Sequence, residues 1–374
     1  MVKISAIITC RSQFVPGYLI MSVFSPATPF ANYIYRHFRA IHALKLGLAL
    51  LIAVIINAFW AQPHFVWSMV TIVIIMMSLP QVGGAIEKSM QRAVGTCIGS
   101  AYGVMLVVSF QNYWLLMGLL ILGVSLTCFI SAGRYSYAYL VAGFTMIIVI
   151  GDANHDTFEA LWRTANILLG CFIAVLVSLF VFPIKAKQDW RSQLAHSTNI
   201  LAVILDKHFT ASMKEPFDAR PELESAMKAV LTQKKLFFSL EWESKTLKQY
   251  KSVLTHLVNK QIRVITLLEL LLQTRWTDED SASYAKVNQV ALILQSSLLE
   301  LSEFLTGRRT DFPALPEKMA INLHQELLAS LDRDEQQEFS LTGYSWLIYQ
   351  LAKTIESIYA EVDVISQAYE RKRR

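Results

Sequence analysis

The sequence predicts an all-α protein: a six-helix transmembrane bundle, built as a 3+3 inverted repeat, followed by a cytoplasmic helical bundle. Three observations carry this expectation. The chain of 374 residues is 54% hydrophobic and 17% charged, and the charge is divided unevenly: residues 1–183 hold nine Lys/Arg and four Asp/Glu, whereas residues 184–374 hold twenty-five of each. The first half has a membrane composition and the second a charged, soluble one. Six apolar runs approach the length of about 20 residues that a spanning helix needs. Two arginine-led helices carry the same spacing of small residues.

Taken in order, residues 1–30 are expected to be a poorly ordered tail. Its apolar pieces "AIITC" and "YLIMSVF" are too short and interrupted for a signal peptide, and Met21 is an alternative start. The transmembrane domain covers 31–183, with spans at 43–61, 65–80, 91–109, 113–131, 136–151 and 161–182. Lys and Arg set the orientation. They precede the first span (Arg36, Arg39, Lys45), occupy the second and fourth loops (Lys88, Arg92, Arg134) and follow the last span (Lys185, Lys187, Arg191). The loops "AQPH" and "QNYW" have none. Both termini are therefore expected on the cytoplasmic side. Trp60, Trp67, Trp114 and Trp162 fall at the expected outer interface, where indole rings anchor, and Trp190 at the inner one.

The repeat lies in spans three and six. Arg92 is followed by Gly99 and Gly103, seven and eleven residues on; Arg163 is followed by Gly170 and Ala174 at the same offsets. These steps are close to two and three helical turns, so each arginine shares a stripe with small residues. Gly95, Thr96 and Asn166 extend the stripes. The arginines are 71 residues apart, with three spans per unit, and an odd number of spans inverts the second unit. A helix N-terminus is partly positive, and a guanidinium added there makes a fork suited to a carboxylate. Arg92, Arg163, Lys88, Thr96 and Asn166 are accordingly the expected anion pathway. Gly95, Gly99, Gly103, Gly170 and Ala174 are the expected packing stripe. The alternative role of the arginines is to snorkel to lipid phosphates.

Glu87 is expected to pair with Arg92 or Gln91, or to carry protons together with Asp152 and His155. Asp156 and Glu159 form a D-x-x-E capping box before span six. The domain at 184–374 has long amphipathic runs and little glycine, with helices expected at 187–211, 221–245, 248–276, 282–306, 316–331 and 341–369. Its balanced charge argues against nucleic acid as a partner. Cys10, Cys97, Cys128 and Cys171 show no metal-ligand spacing, and no P-loop, H-E-x-x-H or G-x-S-x-G occurs. No metal, no cofactor and no enzymatic activity are expected.

The segment "FVWSMVTIVIIMMSLPQVGGAIEKSMQRAVGTCIGSAYG" resembles the signature of the fusaric acid resistance and aromatic acid exporter family. The residues that carry it are Trp67, Thr71, Arg92, Gly95, Thr96 and Gly99; Arg163, Gly170 and Pro183 resemble the family's sixth span, and Gly343, Tyr344 and Trp346 its compact inner-membrane members. The resemblance implies a bacterial inner-membrane protein that exports aromatic carboxylates or related organic anions by a gradient-driven carrier or channel mechanism. Some members hold two such units in one chain, so a homodimer is implied here. Larger members work with a periplasmic membrane-fusion protein. The lipid bilayer and an organic anion are then the other partners. A different class of function stays open at this point: a membrane-anchored scaffold whose cytoplasmic bundle binds a partner.

Overall fold

The computed structural model describes residues 37–78, 80–151, 157–210, 218–273, 282–315, 320–322, 325 and 335–371, with no strand among them. The expected tail, Asp152, His155 and Asp156, and most of the expected helix 316–331 lie outside the described residues. The membrane half comprises α1 (Phe38–Phe59), α2 (Val66–Ser78), α3 (Val82–Ser109), α4 (Tyr113–Ile130), α5 (Ser136–Ile150) and α6 (Thr157–Phe180). A 3-10 turn, Gly133–Tyr135, leads into α5; Gly133 has φ +73°, a conformation that strains residues with a Cβ. Asn112 starts α4 by accepting hydrogen bonds from the Trp114 and Leu115 amides.

Five of these helices are long and apolar enough to cross a membrane, α5 together with its leading turn. The sixth, α2, has 13 residues. It reaches only about 20 Å at 1.5 Å per residue, short of a hydrocarbon core about 30 Å thick.

The largest departure from expectation is α3. It begins at Val82 rather than 91 and runs for 28 residues, about 42 Å. Pro80, Gly83, Gly84, Glu87 and Lys88 look like a polar loop, but these added turns pack on the helix Arg220–Glu243 from the second half of the chain. Arg92 is consequently the eleventh residue of α3, and Arg163 the seventh of α6. Neither leads its helix. The helix dipole acts within the first turn, so the expected N-terminal contribution to an anion site is overturned.

Within the membrane half, α3 packs on α5 and α6, and α6 packs on α2. The contacts are reciprocal. A Cβ at Gly99 would strike the Ala142 carbonyl and lie 2.7 Å from Thr145 Cβ. A Cβ at Gly170 would lie 2.6 Å from the Ser68 carbonyl oxygen and 2.9 Å from Thr71 Cβ. Gly95 meets the Ala138 carbonyl in the same way, and Gly103 meets Val149. Without these side chains the backbones approach closely, which favours association where the surroundings are already apolar. Ala174 is fully buried beside Ile72, Ile75 and Cys171.

The soluble half comprises α7 (Ala186–Thr210), α8 (Arg220–Glu243), α9 (Lys245–Gln249), α10 (Lys251–Gln273), α11 (Ala282–Thr306) and α12 (Glu335–Arg371). The expected helix 248–276 is preceded by a short turn, because the Ser244 side chain caps α9 and the backbone breaks at Tyr250. Trp190, expected as an interface anchor, is fully buried in this bundle's core with Leu194 and Leu201. In that core Gln233 and Gln261 exchange amide hydrogen bonds of 2.9 and 3.0 Å, and Ser197 donates to Gln261 at 2.6 Å. A paired amide network of this kind fixes register, because a slipped packing leaves polar groups unsatisfied.

His208 stacks on Tyr344 in the soluble bundle, with its Nε2 3.2 Å from the hydroxyl. Burial lowers its pKa from 6.5 to about 4. A depressed histidine contributes stability that is present above pH 6.5 and lost as pH falls toward 4. Full-length protein in detergent should lose on the order of 2 kcal/mol over that window, and His208→Asn should flatten the slope. A slope unchanged by the substitution would assign the acid sensitivity to other groups.

The halves meet at the C-terminal turn of α8. Glu243 Oε1 accepts from the Gly83 amide at 3.0 Å and the Ala186 amide at 2.9 Å, and Oε2 from the Lys187 amide at 3.3 Å. One carboxylate thus caps both α3 and α7. Burial pushes its pKa above the usual carboxylate value even with these three donors. Around it, Val82 N–H donates to the Ile184 carbonyl and Gln81 to Asp189. A Cβ at Gly83 would collide with the Ser239 backbone. Removing the acceptor orphans three amides, each costing about 1–3 kcal/mol if kept from water. Glu243→Ala should therefore speed hydrogen exchange at Gly83 and Ala186 and lower the unfolding temperature. Unaltered exchange at both amides would contradict the shared cap.

Candidate anion groove

Helices α2 and α5 leave a groove of about 320 Å³ between them, with α3 and α6 behind it. Trp67, Val70 and Ile74 come from α2, Arg92 and Thr96 from α3, Tyr137, Phe144, Thr145 and Ile148 from α5, and Ile167 from α6. It is apolar and aromatic, with one cation on its wall among the described residues. The close α3–α5 and α2–α6 contacts create it, since each pair is drawn together at a glycine while α2 and α5 stay apart.

Arg92 is 8% exposed. Its Nε donates to Thr71 Oγ1 at 3.1 Å, and its Nη1 to the Tyr137 hydroxyl at 3.2 Å. Guanidinium has five donors, and these neutral partners take two. No carboxylate pairs with Arg92 among the described residues. A buried cation held only by hydroxyls keeps its charge available to an incoming anion. Lys88 adds to the same corner, its Nζ lying 4.0 Å from the centre of the Tyr137 ring. Thr96 is fully buried on the groove wall, and its hydroxyl has no hydrogen-bond partner among the described residues.

The other expected site residues separate. Arg163 does not line the groove. It stands behind the wall, donating to the Ile148 carbonyl at 3.2 Å and facing the Trp67 ring at 5.7 Å. Asn166 is not on the groove wall either: its amide donates to the Pro63 and Trp162 carbonyls, and Ser68 donates to its side-chain oxygen. It fastens α6 to α2. Glu87 accepts from Gln91, as expected, but its cationic partner is Arg134 at 3.6 Å and not Arg92. Arg134 in turn pairs with Glu241, which also holds Lys251 at 2.7 Å. Trp60 and Trp114 are exposed at helix ends, whereas Trp67 belongs to the groove and Trp162 is half-buried.

Tyr137 and Phe144 did not stand out in the sequence, and Arg134 stood out only as a signal of orientation. Tyr137 lies 45 residues from Arg92, and no local pattern links them. The short "GRYSYAYL" segment, charged and aromatic between two spans, was the available signal.

Spans, groove and docked bundle define a class: a multi-pass helical membrane protein with a buried cation facing an aromatic groove. Residues 39–374 match the fusaric acid resistance protein family, and the chain belongs to that family. It is 27% identical over 341 residues to the inner membrane protein YeeA of Escherichia coli K12, covering 88% of this chain and 95% of that one. It is 28% identical over 229 residues to aluminum-activated malate transporter 2 of Arabidopsis thaliana, covering 52% of this chain and 44% of that one. It is also 23% identical over 296 residues to the uncharacterized transporter YdhK of Escherichia coli K12, covering 76% and 43%. The chain spans nearly all of YeeA but under half of the other two. Family and relatives point to membrane transport rather than to an enzyme.

Proposed function

We propose that this protein moves aromatic carboxylates or related organic anions across the bacterial inner membrane, as a homodimeric carrier or channel, with Arg92 as the anion-binding group. The observation that carries the reading is Arg92 itself, a buried guanidinium held by Thr71 and Tyr137 and facing an aromatic groove. Trp67, Tyr137 and Phe144 suit a planar ring, and the guanidinium suits its carboxylate. The relatives named malate transporters support an anionic substrate.

The reciprocal glycine contacts support an inverted repeat of α1–α3 and α4–α6. In each unit the glycine seven residues after the arginine meets a carbonyl and a threonine three residues further along the partner helix. Two copies apposed at the open α2–α5 side would enclose the pathway. This chain covers 43% of YdhK, which leaves room there for a second such unit and supports pairing here. The α2–α3 loop, the α4–α5 turn and the soluble bundle lie on one side, joined by Gln81–Asp189 and Arg134–Glu241. The lysine and arginine distribution makes that side cytoplasmic.

The test is flux in proteoliposomes with a panel of aromatic carboxylates and their neutral amides, with and without a proton gradient. Carboxylate movement without amide movement is expected. Equal movement of the two, or none of either, would sink the proposal.

A further inference from the structure

A second cavity lies on the opposite side of α5. It is a cleft of about 480 Å³ walled by α3, α4 and α5, with Ile98, Tyr102, Gly123, Leu126, Tyr139 and Met146 on its surface. No charged side chain lines it among the described residues. Two of its hydroxyls are satisfied within the protein, since Tyr102 donates to the Leu119 carbonyl at 2.9 Å and Thr127 to the Val124 carbonyl at 2.7 Å. The ring of Tyr102 occupies the space left by Gly123, where a Cβ would lie 2.7 Å from it. The described lining therefore offers mainly shape and apolar surface.

Three features identify what fills it. The walls belong to membrane-spanning helices, so the surrounding solvent is hydrocarbon. The rim is aliphatic and outward-facing: Val94, Ile98, Leu122, Leu126 and Ile130 are 45–64% exposed. Helix-binding faces in membranes are marked by small and polar residues, and this rim has neither. The cleft also has a defined end. Tyr135 closes it at the α4–α5 turn, beside Arg134, whose guanidinium lies 5.2 Å from the Phe238 ring of α8. On that side α8 exposes Phe238 and Trp242, and Lys251 Nζ is 5.9 Å from Phe238. Tyrosine, tryptophan and basic groups together at one level mark the headgroup region of a bilayer.

We propose that this cleft binds one phospholipid from the leaflet that faces the soluble bundle, its acyl chain lying between α3, α4 and α5 and its headgroup at the level of Tyr135, Arg134 and Phe238. The bound chain also braces the transport groove, because α5 is a shared wall. Ala142 and Met146 of α5 face the cleft, while Val141 and Thr145 face the groove. This lipid site stands on its own observations and does not require that the groove carry anions.

Photocrosslinking tests it, using full-length protein in vesicles that contain phosphatidylglycerol with a photoreactive acyl chain. Adducts should concentrate in peptides covering 94–102, 122–130 and 135–146. Filling the cleft by Ala138→Phe, or by Val94→Trp where the first variant folds poorly, should remove these adducts and leave those on α1 unchanged. Adducts spread over every lipid-facing helix in proportion to exposure would overturn the site. So would disulfide-linked dimers through Ile98→Cys in a background with Cys97 and Cys128 replaced by serine, since a second copy would then cover the cleft.

Discussion

Arg92→Ala should abolish anion flux while leaving the helical content and the unfolding temperature close to those of the unaltered protein. Among the described residues the side chain makes two hydrogen bonds to hydroxyls and no ion pair, so its loss strands no buried charge there. Thr71 and Tyr137 can each donate elsewhere or meet water in the groove. A substrate carboxylate would lose much more. Losing one partner of a buried, hydrogen-bonded charge pair costs about 2–5 kcal/mol, which is roughly 30-fold or more in apparent affinity. Arg92→Lys should fall between, since an ammonium keeps the charge and loses the planar fork. Arg163→Ala should impair flux less, because Arg163 does not line the groove and touches two residues that do, Ile148 and Trp67. Initial rates in proteoliposomes at several substrate concentrations would show the ranking. Normal flux in Arg92→Ala would remove Arg92 from the pathway.

Gly99→Leu should cause the largest loss of stability in the membrane half. A Cβ there meets the backbone carbonyl of Ala142, which cannot rotate away, and crowds Thr145. The α3–α5 pair must separate, and overpacking of this kind costs about 1–3 kcal/mol or more. Separation also moves Tyr137 away from Arg92, so flux should fall together with stability. Gly118→Leu is the control: a Cβ at Gly118 meets nothing within 4 Å, so it should change neither. The comparison is thermal unfolding in one detergent. Equal unfolding temperatures for the two variants would refute the close-approach account of α3.

The fold was legible where a single rule applied. Apolar runs located the membrane helices because hydrocarbon demands about 20 of them in sequence. The start of α3 was hidden because two environments meet along one helix. Residues 82–90 look unfit for lipid, and their helix start is received by Glu243 and Ser239 of α8. The glycine stripe was visible, since helical periodicity displays it. Its partner helices were not, because Ala138 and Ala142 contribute carbonyls, which every residue has.

The site was half legible. Arg92 stood out as a charge in an apolar stretch, and Thr96 followed from its place one turn on. Asn166 stood out equally, yet its amide is occupied by Pro63 and Trp162. A polar residue in a membrane helix is thus either a fastener or a ligand group, and only its partners distinguish the two. Glu87 illustrates the same limit: it pairs with Arg134, 47 residues away in sequence, rather than with Arg92 on its own helix.

Arg92 is proposed to bind a carboxylate in the α2–α5 groove. Equilibrium binding by calorimetry tests it most directly, comparing an aromatic carboxylate with its amide on the unaltered protein and on Arg92→Gln. Saturable binding of the carboxylate to the unaltered protein only is expected. Carboxylate binding of equal strength to Arg92→Gln would contradict it.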